Sequence, residues 1–249
     1  MADIAGTSIE QRADQRGRLR HFFVYQSWFF VLVAFVGFGP NFYDYFAGTF
    51  PLPWTAHVHG AVMMAWLFAY AAQTSFAANG NLMVHRAWGA RLVWLAGAVF
   101  VVMAMATVTS IARFNPSLTE MTFLYDVFAI QIVMMVWFAV FVTWGVLARG
   151  NSGWHRRMMT FATIVLLQAA VDRMYWLPES GLPMFWHQAI RLYALMAPML
   201  AFDIITRRRL HPATLAASTL IVGGHALVSA VWEDANWRAF VDQLTRAWR

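Results

Sequence analysis

The chain has 249 residues, 60% of them hydrophobic and 12% charged, with a net charge of +6 and a mean hydropathy of +0.52. A water-soluble domain of this size has no interior large enough for so much apolar surface, so composition points to a polytopic helical membrane protein. Without cysteine, disulfides, iron–sulfur clusters and thiolate chemistry are excluded, and without lysine so is a retinal Schiff base.

The first 20 residues, MADIAGTSIEQRADQRGRLR, are polar and lack the apolar stretch and small-residue cleavage site of a signal peptide. Residues 1–21 are therefore expected to form an N-terminal segment, with insertion directed by the first span. Seven apolar runs follow, at 22–38, 55–77, 88–111, 122–147, 158–177, 184–205 and 212–232. A hydrocarbon layer about 30 Å thick needs about 20 residues of helix per crossing, so residues 22–232 are expected to be a seven-helix transmembrane domain. Of the 18 arginines, 12 precede span 1 or fall around the 2–3, 4–5 and 6–7 links, and the opposite loops are nearly free of them. The positive-inside rule then predicts a cytoplasmic N-terminus and an external C-terminus, in a bacterial inner membrane. The balance of arginine reflects topology and calls for no nucleic acid. Loop 39–53 is rich in Pro, Gly and aromatics, as an external crossing requires. The tail EDANWRAFVDQLTRAWR sets Trp237, Phe240, Val241, Leu244 and Trp248 at helical spacing, so residues 233–249 are expected to lie as an amphipathic helix in the outer interface.

An internal echo runs through the middle of the chain. VMMAW at 62–66 precedes His85-Arg86, and VMMVW at 133–137 precedes His155-Arg156 at nearly the same spacing. If spans 2–3 and 4–5 are repeats, they form a central four-helix core with His85 and His155 at equivalent inner positions.

Ionisable side chains inside a bilayer are expensive and usually face the protein interior. The external half is expected to hold His57, His59, Asp126, Asp172, Arg173, His187 and Arg191, with His225 deeper. The cytoplasmic side holds His21, His85, His155 and His211. His57 and His59 lie about 200° apart on a regular helix. His59 leads an inward seam with Met63, Trp66, Tyr70 and Gln73, so it is favoured as the functional histidine and His57 as interfacial. Gln168 with Asp172, and His187 with Arg191, are each four residues apart, and an Asp172–Arg191 pair would ease the burial of both. Ser218, His225, Ser229 and Trp232 share a face of span 7. These residues predict one external pocket ringed by spans 2, 4, 5, 6 and 7; the alternative is structural hydrogen bonding between helices.

No HExxH or histidine-box motif is present. A copper or iron site from His59, His187, His225 and a carboxylate is chemically allowed. Haem b needs axial histidines at equal depth on neighbouring helices. His85 with His155 meets that on the inner side, and His59 with His187 or His225 on the outer side. The same HR pairs, with Arg86, Arg156 and Arg157 as the cytoplasmic basic set, could instead bind lipid phosphates or cap loops.

LMVHRAWGARLVW and WHRRMMTFATIVLLQAAVDRMY resemble an uncharacterised bacterial membrane-protein family, domain of unknown function 2306, over residues 55–176. That family's pattern falls on His57 or His59, Gly60, Gln73, His85, Arg86, Gly89, His155, Arg156, Met158 and Arg173; this chain departs from it in placing Ala90 before Arg91. The resemblance implies architecture and site residues but no activity. A looser similarity, in helix count and histidine layering, is to transmembrane b-type cytochromes.

Three functions follow as expectations. The first is a redox protein holding haem b, or less readily copper or iron, and passing electrons to a small substrate or to other membrane redox proteins. The second is a small-solute or proton-coupled transporter, for which Pro198 in span 6 offers a hinge. The third is an accessory or assembly subunit acting through helix contacts. Catalytic residues and oligomeric state are not assigned by the sequence.

Overall fold

A computed structural model describes the backbone of residues 2–48, 52–112, 118–178 and 181–246, and their side chains except those of 2–20, 110–112, 118–122 and 184. The described residues are helical almost throughout: α1 (Ala2–Phe46), α2 (Trp54–Ala78), α3 (Leu82–Ala112), α4 (Leu118–Leu147), α5 (Ser152–Leu166), α6 (Gln168–Asp172), α7 (Met184–Arg207), α8 (Pro212–Val231) and α9 (Ala235–Thr245). Six of them contain stretches long and apolar enough to cross a membrane, the windows being His21–Phe46, Trp54–Ala78, Leu82–Thr109, Phe123–Leu147, Phe185–Arg207 and Pro212–Val231. Large apolar side chains point outward from all six, among them Leu32, Phe68, Trp94, Val136, Ile205 and Leu227. A continuous apolar exterior is stable only against lipid, so the protein is a multi-pass membrane protein.

The expected fifth span is built differently from the others. It is two helices, α5 and α6, joined at Leu167, whose N–H bonds to the Ile164 carbonyl three residues back instead of four. Fifteen residues of α5 rise about 22 Å, short of a full crossing, and α6 continues the path. Neither Pro nor Gly marks the break. It is tolerated because this segment is the axis of the bundle: Met158, Thr160, Phe161, Ala162, Thr163, Ile164, Val165 and Leu166 are all buried. Irregular backbone at membrane depth is allowed where protein, not lipid, surrounds it.

Around that axis the helices close a ring. Helix α1 packs on α2, α2 on α3, α3 on α4, α4 on α8, α8 on α7, and α7 through α6 back onto α1, while α5 touches α1, α2, α4, α7 and α8. Helices α2 to α5 also close a four-membered core among themselves. Small residues set the close approaches. A Cβ on Gly37 of α1 would collide with the Ala170 carbonyl of α6, and one on Gly224 of α8 with the Trp137 ring of α4.

The ends of the elements follow their capping residues. The Asn151 side chain accepts from the N–H groups of Gly153 and Trp154 at the start of α5, and Asp234 accepts from Trp237 N–H at the start of α9. Pro212 opens α8, where a missing N–H is harmless. Arg208 closes α7 in the left-handed conformation at φ 59°.

The tail forms the expected helix and docks one face of it on the bundle. Val241 is fully buried against Tyr125 and Phe128 of α4. Tyr125 Oη donates to Asp242 at 2.7 Å and Trp237 Nε1 donates to the Tyr125 carbonyl at 2.8 Å. Helix α9 is thus docked on the N-terminal part of α4, leaving Phe240 and Leu244 exposed. Trp248 lies outside the described residues.

Candidate functional site

The first turn of α5 organises one end of the bundle. Its residues His155, Arg156 and Arg157 advance by about 100° each, so consecutive side chains address different neighbours. His155 meets His85 of α3, Arg156 lies over Phe23 of α1, and Arg157 reaches Asp203 of α7 and Thr214 of α8.

Arg157 and Asp203 are both fully buried and form an ion pair. Arg157 Nη1 also donates to the Gly153 carbonyl at 3.0 Å, and its Nε to Thr214 Oγ1 at 3.2 Å. Asp203 accepts further from the Thr214 hydroxyl and from His211 N–H. A buried charge pair survives only when its remaining donors and acceptors are satisfied this way. Arg157, expected in the cytoplasmic basic set with Arg86 and Arg156, is fully buried. The sequence reading overlooks Asp203, although a lone carboxylate inside an apolar span was the available signal.

The two HR pairs make matching contacts. His85 Nδ1 bonds to the Gln73 carbonyl at 3.2 Å and His155 Nδ1 to the Gly145 carbonyl at 2.8 Å, each at the end of the preceding helix. A carbonyl only accepts, so Nδ1 carries a hydrogen in both rings. The ring centroids stand 6.1 Å apart, edge to face. Arg86, next to His85, is exposed.

The polar residues of the other end make three groups of contacts, the first two linked through Arg173. His59 turns inward to the Val102 carbonyl of α3 at 3.3 Å, and Arg173 is its charged neighbour; His57 is exposed against Tyr45. The seam from His59 continues inward through Trp66, bonded to Thr163 at 3.2 Å, and Tyr70, bonded to Thr160 at 2.7 Å. In the second group, Gln168 Nε2 donates to Asp172 at 2.7 Å and to the Gln188 carbonyl at 3.2 Å. Arg191 reaches the Val171 carbonyl at 3.2 Å, not the Asp172 carboxylate, so the expected Asp172–Arg191 pair is replaced by a side chain-to-backbone bond. Arg173 donates to the Ala169 carbonyl and lies over the Phe38 ring. In the third group, Asp126 is paired with Arg238 and accepts from Glu233 N–H, so it fastens α9 to α4 and does not line a pocket.

His225 is 1% exposed, boxed by Trp137, Phe185 and Tyr193, and bonded through Nδ1 to the Tyr193 hydroxyl at 2.9 Å. His187 is half-buried in the first turn of α7. Among the described residues, no three of His, Cys, Asp and Glu gather as a metal-ligand set.

The fold and site define a multi-pass helical membrane bundle with a polar cluster at each end and a buried ion pair on its axis. The chain matches no protein-family model, no curated protein and no solved structure.

Two predictions follow from the axial cluster. Asp203→Asn or Arg157→Met leaves one buried charge unpaired and should destabilise the detergent-solubilised protein by about 3–5 kcal/mol; combining Arg157→Met with Asp203→Leu should recover much of that loss in thermal unfolding. His211, at the entrance to α8, accepts Ala213 N–H on Nδ1. Burial, then the positive charges of Arg157 and Arg207, push its imidazole down to about 4, whereas an unfolded histidine takes its proton near about 6.5. Between those values the unfolded chain binds a proton that the folded chain does not, so stability falls as pH drops through that window. His211→Asn, which keeps a capping oxygen without titrating, should flatten the acid side of a melting-temperature profile.

Proposed function

We propose that this is a membrane redox protein that crosses the bilayer seven times, with α5 and α6 together forming the fifth crossing, its N-terminus cytoplasmic and its C-terminus external. Distribution of the arginines supports the orientation, and the path of α5–α6 from the His155 end to the Arg173 end supports a fifth crossing in addition to the other six. The resemblance to domain of unknown function 2306 rests on residues that include His85, Arg86, His155 and Arg156, two of which form the contact proposed here as functional.

The observation that carries the redox reading is the His85–His155 pair. Edge-to-face rings at 6.1 Å are by themselves ordinary aromatic packing. What singles this pair out is that both Nδ1 atoms are committed to backbone carbonyls, the arrangement that fixes ring orientation in metal-ligating histidines. The two rings stand close enough that one metal-centred group would take a nitrogen from each. His85 and His155 would hold a b-type haem, and that group would supply one-electron transfer at this end of the bundle. The chain's own part is orientation and electrostatics. Gln73 and Gly145 lock the two rings through their carbonyls, and Arg86, next to His85, places positive charge beside the centre.

The purified protein should show a Soret band and, on dithionite reduction, an α-band of the b type, with iron in the same sample. His85→Ala and His155→Ala should each remove the colour, while His57→Ala, at the opposite end, keeps it. A colourless, iron-free wild-type protein purified from haem-supplemented cells would overturn this reading.

A further inference from the structure

The arginine-rich end of the bundle holds a positive charge and a buried amide that the haem reading does not use. The Arg156 side chain has no hydrogen-bond or ion-pair partner among the described residues. Its guanidinium lies 4.7 Å from the centroid of the Phe23 ring, and its Nε is buried and unbonded. The charged groups around it are Arg157, Arg207 and Asp203, and Asp203 is already taken by Arg157. Three arginines thus share one carboxylate. Arg156 has no carboxylate of its own, so an anion from outside the protein would complete its pairing.

The second observation is on α1. Gln26 is 4% exposed, and neither its Nε2 nor its Oε1 has a partner. Phe23, Gln26 and Phe30 lie three and four residues apart, on one face of the helix. Phe23 lies under Arg156, and Phe30 stacks on Tyr70 at 6.4 Å between centroids. Gln26 thus stands one turn along α1 from the Phe23 ring that carries Arg156. Leaving both ends of a buried amide unbonded is costly; a bound group that accepts from Nε2 and donates to Oε1 removes that cost.

We propose that Arg156 and Gln26 form a binding site for an anionic phosphate that carries a hydroxyl, with the charge on Arg156 and the hydroxyl on the Gln26 carbonyl. Two sources present that chemistry: hydrogen phosphate from solution and the headgroup of a phosphatidylglycerol lipid. The site stands on α1 and α5 and does not depend on what His85 and His155 hold.

The test uses the full-length protein in detergent. Inorganic phosphate binding is followed by calorimetry, and retention of dioleoylphosphatidylglycerol against dioleoylphosphatidylcholine by native mass spectrometry. Wild type should bind one of the two phosphate probes. Binding of inorganic phosphate assigns the site to a free anion, and retention of phosphatidylglycerol alone assigns it to a lipid headgroup. Arg156→Gln should weaken binding about tenfold or more and Gln26→Leu measurably, while Arg91→Gln, an exposed arginine at the same end, should leave it unchanged. Failure of wild type to bind either probe overturns the proposal, as does a loss in Arg91→Gln equal to that in Arg156→Gln. Should Arg156→Gln not fold, unchanged binding in Gln26→Leu is the overturning result.

Discussion

The Arg157–Asp203 pair is the constraint around which this bundle is arranged. Hydrocarbon offers no partner for a charge, so a guanidinium and a carboxylate that enter it must find each other and must satisfy their remaining valences nearby. Gly153, Thr214 and the His211 N–H supply those valences. Together they tie the first turn of α5 to the last turns of α7 and the start of α8. The rotation of α5 about its own axis is then fixed. With Arg157 turned toward α7 and α8, a helical step of about 100° per residue sends Arg156 toward α1 and His155 toward α3.

That fixed rotation links packing to chemistry. His155 arrives beside His85 because α5 is locked, and both rings are held by carbonyls that close the preceding helices. The remainder of the axis is apolar or hydroxyl-bearing, with Thr160 and Thr163 bonded to Tyr70 and Trp66 of α2. These bonds hold the seam of α2 against the axis over two turns. At the far end Gln168 and Arg191 tie α6 to α7 through backbone carbonyls, so the break at Leu167 sits between two anchored segments.

Much of this was legible in the sequence. Apolar runs separated by polar links give the helices and their order, because a bilayer demands about 20 residues per crossing. The helical offsets of His59, Trp66 and Tyr70 place them inward, and the spacing of VMMAW and VMMVW to the two HR pairs anticipates their matching contacts. Other features were not legible. Nothing in ATIVLLQAAVD marks the break at Leu167, since it depends on burial by five neighbouring helices. Asp126 reads as a pocket residue until α9 folds back to meet it, a contact between residues more than a hundred apart. Asp203 was visible as a lone acid in an apolar span, but its partner was hidden, because Arg157 sits among arginines that look like topology signals. Gln26 is ordinary in sequence, and only its burial without a partner sets it apart.

The most direct measurement is a cross-link between α3 and α5, for which the cysteine-free chain is a clean background. In membrane vesicles, the double variant His85→Cys with His155→Cys should form a disulfide, or a bridge with a short bifunctional thiol reagent, within the single chain. The single variants should not, and neither should His57→Cys with His155→Cys, whose positions lie at opposite ends of the bundle. Absence of the His85–His155 bridge, or equal bridging in the opposite-end pair, would contradict an α5 axis that brings these two histidines together.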